Sequence, residues 1–309
     1  MPGPRSVDVM PANLNGRLIR VNDTQLYAVE RGPEGALPLL VLHGGPGLDH
    51  TMFGSHLDAL AETYRLVLVD GREQGRSSRG TDPASWTLQQ HARDVSALAA
   101  SLGLARYAVL GHSFGAFVAL QHAADSPGAA VATIVSSGVP STRFLDAVEE
   151  GLAVFEPEEL REQVTRSWAD EASAQTQEDC RTLLTDQMPW HFKDPQDPRI
   201  AELCADLENT VFSPEVLRAS SLEGGDLAIE VEDALPLVTQ PVLVLAGRFD
   251  RTCVPAASAQ IAALIPGSQL HVFEQSCHMT FVEQEEEYVD VVRRFLDAVN
   301  ASRPRDHDQ

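Results

Sequence analysis

The sequence predicts an α/β fold with a mostly parallel sheet flanked by helices and interrupted by one helical insertion. Three observations carry this. Short, wholly apolar runs recur, each ending near glycine, serine or aspartate, as strands buried on both faces do. Between them lie stretches with apolar residues at helical spacing. From about residue 140 to 232 the strand-like runs cease, and acidic, helix-patterned sequence replaces them.

In chain order, residues 16–21 and 25–30 flank Asn22-Asp23 and read as a hairpin. Runs 39–42, 65–69, 107–110 and 131–135 read as buried parallel strands. Segments 88–102 and 114–124 read as helices; the second is small and apolar nearly all round, which suits a helix pressed on a sheet. Such alternation implies right-handed crossovers. The insertion holds candidate helices at 142–155, 158–170, 176–188, 198–211 and 214–221. Strand 242–245, helix 256–264, strand 270–273 and an amphipathic helix at 282–299 then complete the pattern. The expected division is a core of residues 1–139 and 233–309 around a cap of residues 140–232, with a polar tail from residue 302 that is expected to fray.

Acidic residues number 45 against 23 basic, for a formal charge of −22. That balance argues against nucleic acid and anionic membrane surfaces as partners. No stretch approaches the roughly 18 apolar residues of a membrane span, and the N-terminus lacks a basic segment followed by an apolar run. A cytoplasmic protein acting on a small molecule or short peptide is expected. Cys180, Cys204, Cys253 and Cys277 show no CxxC spacing, so neither a metal site nor a redox pair is expected, and no cofactor.

The chemistry centres on Gly111-His112-Ser113-Phe114-Gly115, a G-x-S-x-G between a predicted strand and a predicted helix. In that setting the serine occupies a strained turn, and its neighbours at ±2 must lack side chains. A serine hydroxyl is a weak nucleophile and needs a base and an orienting acid, expected here in the chain order Ser, Asp or Glu, His. After the insertion the candidate base is His278, in the loop following strand 270–273; His271, at that strand's start, is read as structural. The candidate acid is Asp250, directly after strand 242–245. Ser113, Asp250 and His278 therefore all fall beyond the C-terminal ends of strands, where open α/β sheets place ligands. A second glycine cluster, His43-Gly44-Gly45-Pro46-Gly47, follows strand 39–42. An oxyanion needs two donors, and these are assigned to the N–H groups of Phe114 and Gly45. His43 has a bracing role as readily as a chemical one.

With these residues placed, the chain resembles the α/β-hydrolase superfamily over essentially its full length, and within it the proline iminopeptidase-like group (peptidase family S33). The likeness rests on residues 43–47, on Asp70-Gly71-Arg72-Glu73-Gln74-Gly75-Arg76-Ser77, on the elbow, and on Gly247-Arg248-Phe249-Asp250 with Cys277-His278. It implies removal of an N-terminal residue, typically proline, and a cap carboxylate for the substrate's protonated amine. That role maps onto Glu208, in Ala205-Asp206-Leu207-Glu208-Asn209-Thr210-Val211-Phe212; Trp168 and Glu171 form a second candidate pair. The chain departs from iminopeptidases in carrying His112 and Phe114 around the serine, where they carry glycine and tryptophan. An esterase, lactonase or amidase acting on a small acyl compound is the alternative. A non-catalytic ligand receptor is a third reading, disfavoured by the complete Ser-Asp-His set.

Overall fold

The computed structural model describes residues 16–221 and 228–302. The expectation of no leader sequence falls largely on residues 1–15, outside that range, as does all but the start of the polar tail. Strands β1 (Arg17–Val21), β2 (Thr24–Arg31), β3 (Pro38–Leu42), β4 (Arg65–Val69), β5 (Ala108–His112), β6 (Ala132–Ser136), β7 (Val242–Gly247) and β8 (Gln269–Phe273) form one sheet in the order β1-β2-β4-β3-β5-β6-β7-β8. β1 and β2, and β2 and β4, pair antiparallel; the remaining pairs are parallel.

Alternation along the inner strands sorts their side chains onto two faces. Leu40, Leu42, Val67, Val69, Val109, Val135, Val242 and Val244 join one core, together with side chains of α1 (Leu88–Ser101), α2 (Phe114–Asp125) and, from beyond the insertion, α8 (named below). Leu39, Val41, Leu66, Leu68, Ala108, Leu110, Ile134, Leu243 and Leu245 join the other, with the C-terminal helix. Each fully buried leucine or valine contributes about 2 kcal/mol, so the inner strands need no polar face.

Between β6 and β7 lie α3 (Asp146–Ala153), α4 (Glu158–Asp170), α5 (Gln177–His191), α6 (Arg199–Asp206) and α7 (Pro214–Ser220). α8 (Pro255–Leu264), α9 (Thr280–Glu283) and α10 (Glu285–Ala301) follow. No described helix is long and apolar enough to cross a membrane.

Three expected helices are reshaped. Segment 142–155 becomes a 3₁₀ turn at Thr142–Phe144 followed by α3. Segment 198–211 ends as α6 at Asp206 because Arg76 donates to the Asn209 carbonyl and the Val211 N–H donates to Asp49, pulling this backbone out of helical pairing. The final helix breaks at Gln284, whose Oε1 accepts from Gln275 N–H and the Ser276 hydroxyl. α10 then restarts with Glu285, Glu286 and Glu287 in its first turn, where carboxylates complement the helix dipole.

The chain steps from β4 back across β3 to β5, so strand order reverses between β3 and β5. Leu42 lies opposite Gly111 in that pairing. Residues 43–47 and Ser113 therefore leave the sheet side by side at its switch point, where such folds bind ligands.

Candidate active site

Ser113 sits between β5 and α2 with φ 55° and ψ −119°, a conformation that an L-residue holds at a cost of about 1–3 kcal/mol. Its neighbours show why glycine flanks it. A Cβ on Gly111 would stand 2.0 Å from the Gly115 carbonyl oxygen, and one on Gly115 would stand 2.2 Å from that of Leu42. The Ser113 N–H donates to Ser136 O at 2.9 Å, tying the turn to β6.

Asp250 follows β7 and is buried. Its Oδ1 accepts the N–H groups of Thr252 and Cys253 at 2.9 and 2.8 Å, which fix the carboxylate's plane. His278 Nδ1 lies 2.9 Å from Oδ2 and 3.1 Å from Oδ1. An ionised carboxylate only accepts, so Nδ1 carries the proton and Nε2 keeps a free lone pair. The two loops meet closely: a Cβ on Gly247 would fall 1.8 Å from the Cys277 carbonyl oxygen. Glu283 also pins the His278 loop, accepting Cys277 N–H at 2.7 Å and Lys193 N–H at 2.8 Å; burial lifts its pKa to about 7.

The glycine loop after β3 reaches over the elbow. A Cβ on Gly44 would lie 3.3 Å from Ser113 Cβ, and Gly45 has φ +116°. His43 braces the loop: its Nδ1 donates to Gly44 O at 2.7 Å and its Nε2 accepts Gly71 N–H at 3.0 Å. That pairing describes a neutral imidazole, and burial lowers its pKa accordingly. Gly45 and Phe114 border the same cavity as Ser113 and His278, and Phe114 opens α2, so its N–H is among those a helix start leaves unpaired.

That cavity, of about 420 Å³, lies between the sheet rim and the helices of the insertion, with walls dominated by apolar side chains such as Leu145, Val148, Leu184 and Phe212. Glu171 lines it; its carboxylate accepts from Gln187 Nε2 at 2.7 Å and the Ser221 hydroxyl at 3.0 Å. Both donors are neutral, and no cationic side chain pairs with it among the described residues. Burial raises its pKa, against the lowering by those two hydrogen bonds. Trp168 lines the cavity too, with a buried indole N–H that finds no partner among the described residues.

Glu208 stands elsewhere, which corrects the amine-anchor expectation. It is exposed and does not border the cavity. The segment turns as a 3₁₀ helix at Leu207–Asn209, where successive side chains diverge by about 120°. Leu207 points inward, and Glu208 is turned to solvent. Two carboxylates of the insertion border the cavity, Glu171 and Asp206, and of these Glu171 is the one among the sequence-derived candidates.

Two further histidines flank His278. The His112 and His191 rings lie 5.0 and 5.1 Å from its ring, and burial holds both pKa values well below the ordinary imidazole value. Sequence reasoning missed both. His112 was legible as the elbow's second residue, whereas His191 ends a helix and carries no motif. Asp49, His50 and Asp70 come together as potential metal ligands, yet Asp70 accepts from His50 Nδ1, His50 N and Arg76 N, while Asp49 is engaged by Thr51, Arg76 and Val211. This cluster ties residues 49–51 to the loop after β4. All four cysteines are free thiols.

The sequence model of the α/β hydrolase fold family matches residues 38–285. The proline iminopeptidases of Heyndrickxia coagulans and Clostridioides difficile are 27% and 29% identical over 277 and 299 residues, covering 86% and 89% of this chain and 92% and 94% of theirs. The crystal structure of a proline iminopeptidase from Mycobacterium smegmatis matches with a TM-score of 0.75 at 27% identity, over 93% of this chain and 99% of that one. An esterase from Thermogutta terrifontis shares the fold at a TM-score of 0.70 and 23% identity, over 92% and 98%.

Proposed function

The chain belongs to the α/β-hydrolase fold family, and from that premise we propose that it is a serine hydrolase working through an acyl-enzyme. Ser113 Oγ attacks the substrate carbonyl carbon while His278 Nε2 takes its proton. Asp250 keeps the proton on Nδ1 and stabilises the imidazolium. The Gly45 and Phe114 N–H groups hold the tetrahedral oxyanion, each contributing about 3 kcal/mol. His278 then protonates the leaving group, its bond to the carbonyl carbon breaks, and the acyl group stays on Ser113. Water deprotonated by His278 attacks that ester, and Ser113 departs with the proton. The inserted helices α3–α7 form the cap that roofs the site.

The observation that carries this reading is the Asp250–His278 pair, with its tautomer fixed and its acid held by two backbone N–H groups, at the rim where a strained serine leaves the sheet. For specificity, the reading is an aminopeptidase of the proline iminopeptidase-like kind. Glu171 supports it: a carboxylate in an apolar cavity, with no counter-ion among the described residues, suits a protonated α-amine. The alternative, an esterase, lactonase or amidase on a small acyl compound, uses the same triad and leaves Glu171 without a task. Steady-state turnover of p-nitrophenyl acetate tests the shared chemistry. Ser113→Ala and His278→Ala are each expected to lower kcat by about a thousandfold or more; a Ser113→Ala protein as active as wild type overturns the assignment.

A further inference from the structure

His191 closes α5 at the seam between the insertion and the sheet. Its ring stands 5.1 Å from that of His278, with the planes 37° apart, and it borders the cavity. Its backbone carbonyl accepts the His278 N–H at 3.0 Å, so the two residues are held in register.

A hydrogen-bond chain reaches this ring from the buried side. The Trp190 indole, wholly buried, is a donor only, and its Nε1 meets Thr252 Oγ1 at 3.0 Å. That hydroxyl accepts from the indole, and its own hydrogen is within reach of His191 Nδ1, 3.3 Å away. When Nδ1 accepts that hydrogen, the neutral ring carries its proton on Nε2. Burial and the charges of His278 and Arg251 keep the ring neutral. Nε2 has no partner among the described residues. His112, on another side of His278, offers no such donor, because its Nε2 is buried with no partner among the described residues.

We infer that His191 Nε2–H is a hydrogen-bond donor to the leaving group, selecting substrates whose leaving group bears a carbonyl two bonds beyond the departing atom, as a peptide's does. This rests on the serine-hydrolase reading. His278 must deliver its proton to the departing atom, so the leaving group lies against the His278 ring. The flanking ring, 5.1 Å from it and bordering the same cavity, then lies beside the leaving group.

Two measurements test it. Long-range ¹H–¹⁵N NMR should report the Nε2–H tautomer for His191 in the wild type and a mixture in Thr252→Val; an Nδ1–H tautomer in the wild type overturns the inference, whatever the activity. The second compares two acetyl esters, one releasing glycolamide, whose carbonyl has the required spacing, and one releasing propanol, which has none. The ratio of their kcat/KM values should fall about tenfold in His191→Phe and recover in His191→Gln, which restores an N–H near Nε2. An unchanged ratio in a folded His191→Phe overturns the inference, as does a His191→Gln ratio no higher than that of Phe. Loss of both activities in Ser113→Ala is the control: if turnover persists there, the serine-hydrolase reading fails on its own account.

Discussion

Glu171 and Glu208 illustrate what a side chain's surroundings decide. Both were candidate partners for a substrate amine, Glu208 by its match to the family's cap segment and Glu171 in a second pair with Trp168. The structure turns Glu208 to solvent and leaves Glu171 facing the cavity with only neutral donors. Glu171→Gln keeps the shape and removes the charge. If Glu171 anchors an amine, KM for prolyl-naphthylamide should rise about ten- to a hundredfold, the range of a charge-assisted hydrogen bond, while p-nitrophenyl acetate, which has no amine, should respond far less. The raised carboxyl pKa gives the sign of the pH effect: the anion, and with it amine binding, is lost as pH falls through a value above the ordinary carboxylate range. Equal KM values in the two proteins would remove Glu171 from amine recognition. Ser113, Asp250 and His278 were legible because each need is local: a strained turn demands glycines at ±2, and acid and base follow strand ends. Glu171 was only a second candidate and His191 was not singled out, since their roles depend on which cap face meets the sheet.

At the scale of elements, the inner strands were legible and several helix ends were not. An apolar run bounded by glycine has one stable place, between two cores, so observed strands fall within two residues of expectation. The breaks in the cap and C-terminal helices come from partners distant in sequence. Arg76 binds the Asn209 carbonyl and Asp49, and Asp49 accepts Val211 N–H. These contacts clasp the end of the cap segment to the loops after β3 and β4. On the other side Arg251 caps α5, donating to the carbonyls of Trp190, Phe192 and Lys193, where a cation also suits the helix dipole. Arg76→Met removes the cation from a buried carboxylate. Urea denaturation should show a loss of about 2 kcal/mol, with less loss when Asp49→Asn is added, because the orphaned charge is then gone. Full additivity of the two substitutions would show that the clasp is not an energetic unit.

Over the whole molecule, buried histidines set the acid limit of stability. Burial lowers the pKa of His43, His91, His112, His122 and His191, to about 4 for His91 and His122 from an ordinary 6.5. Between those values the unfolded chain binds more protons than the native one, so stability rises with pH. Glu283 acts in the opposite sense: its pKa is raised from 4.5 to about 7, which lowers stability as pH climbs through that window. Burial also raises the carboxyl pKa values of Glu171 and Asp186, so three carboxyls oppose five imidazoles and the histidines should prevail. Urea midpoints are expected to climb from about pH 4 to 6.5 and then level; a midpoint that declines steadily over that range would contradict these burials. The net charge of −22 adds self-repulsion above that range, which salt screens.

The account turns on Ser113 being the nucleophile that the Asp250–His278 pair activates. A fluorophosphonate probe reads this directly, since only an activated serine is phosphonylated rapidly at neutral pH. Peptide mass mapping of the treated wild-type protein should place a single adduct on Ser113, with none formed in Ser113→Ala and a much slower reaction in His278→Ala. An adduct on a different residue, or an unmodified wild-type protein after prolonged exposure, would contradict the account.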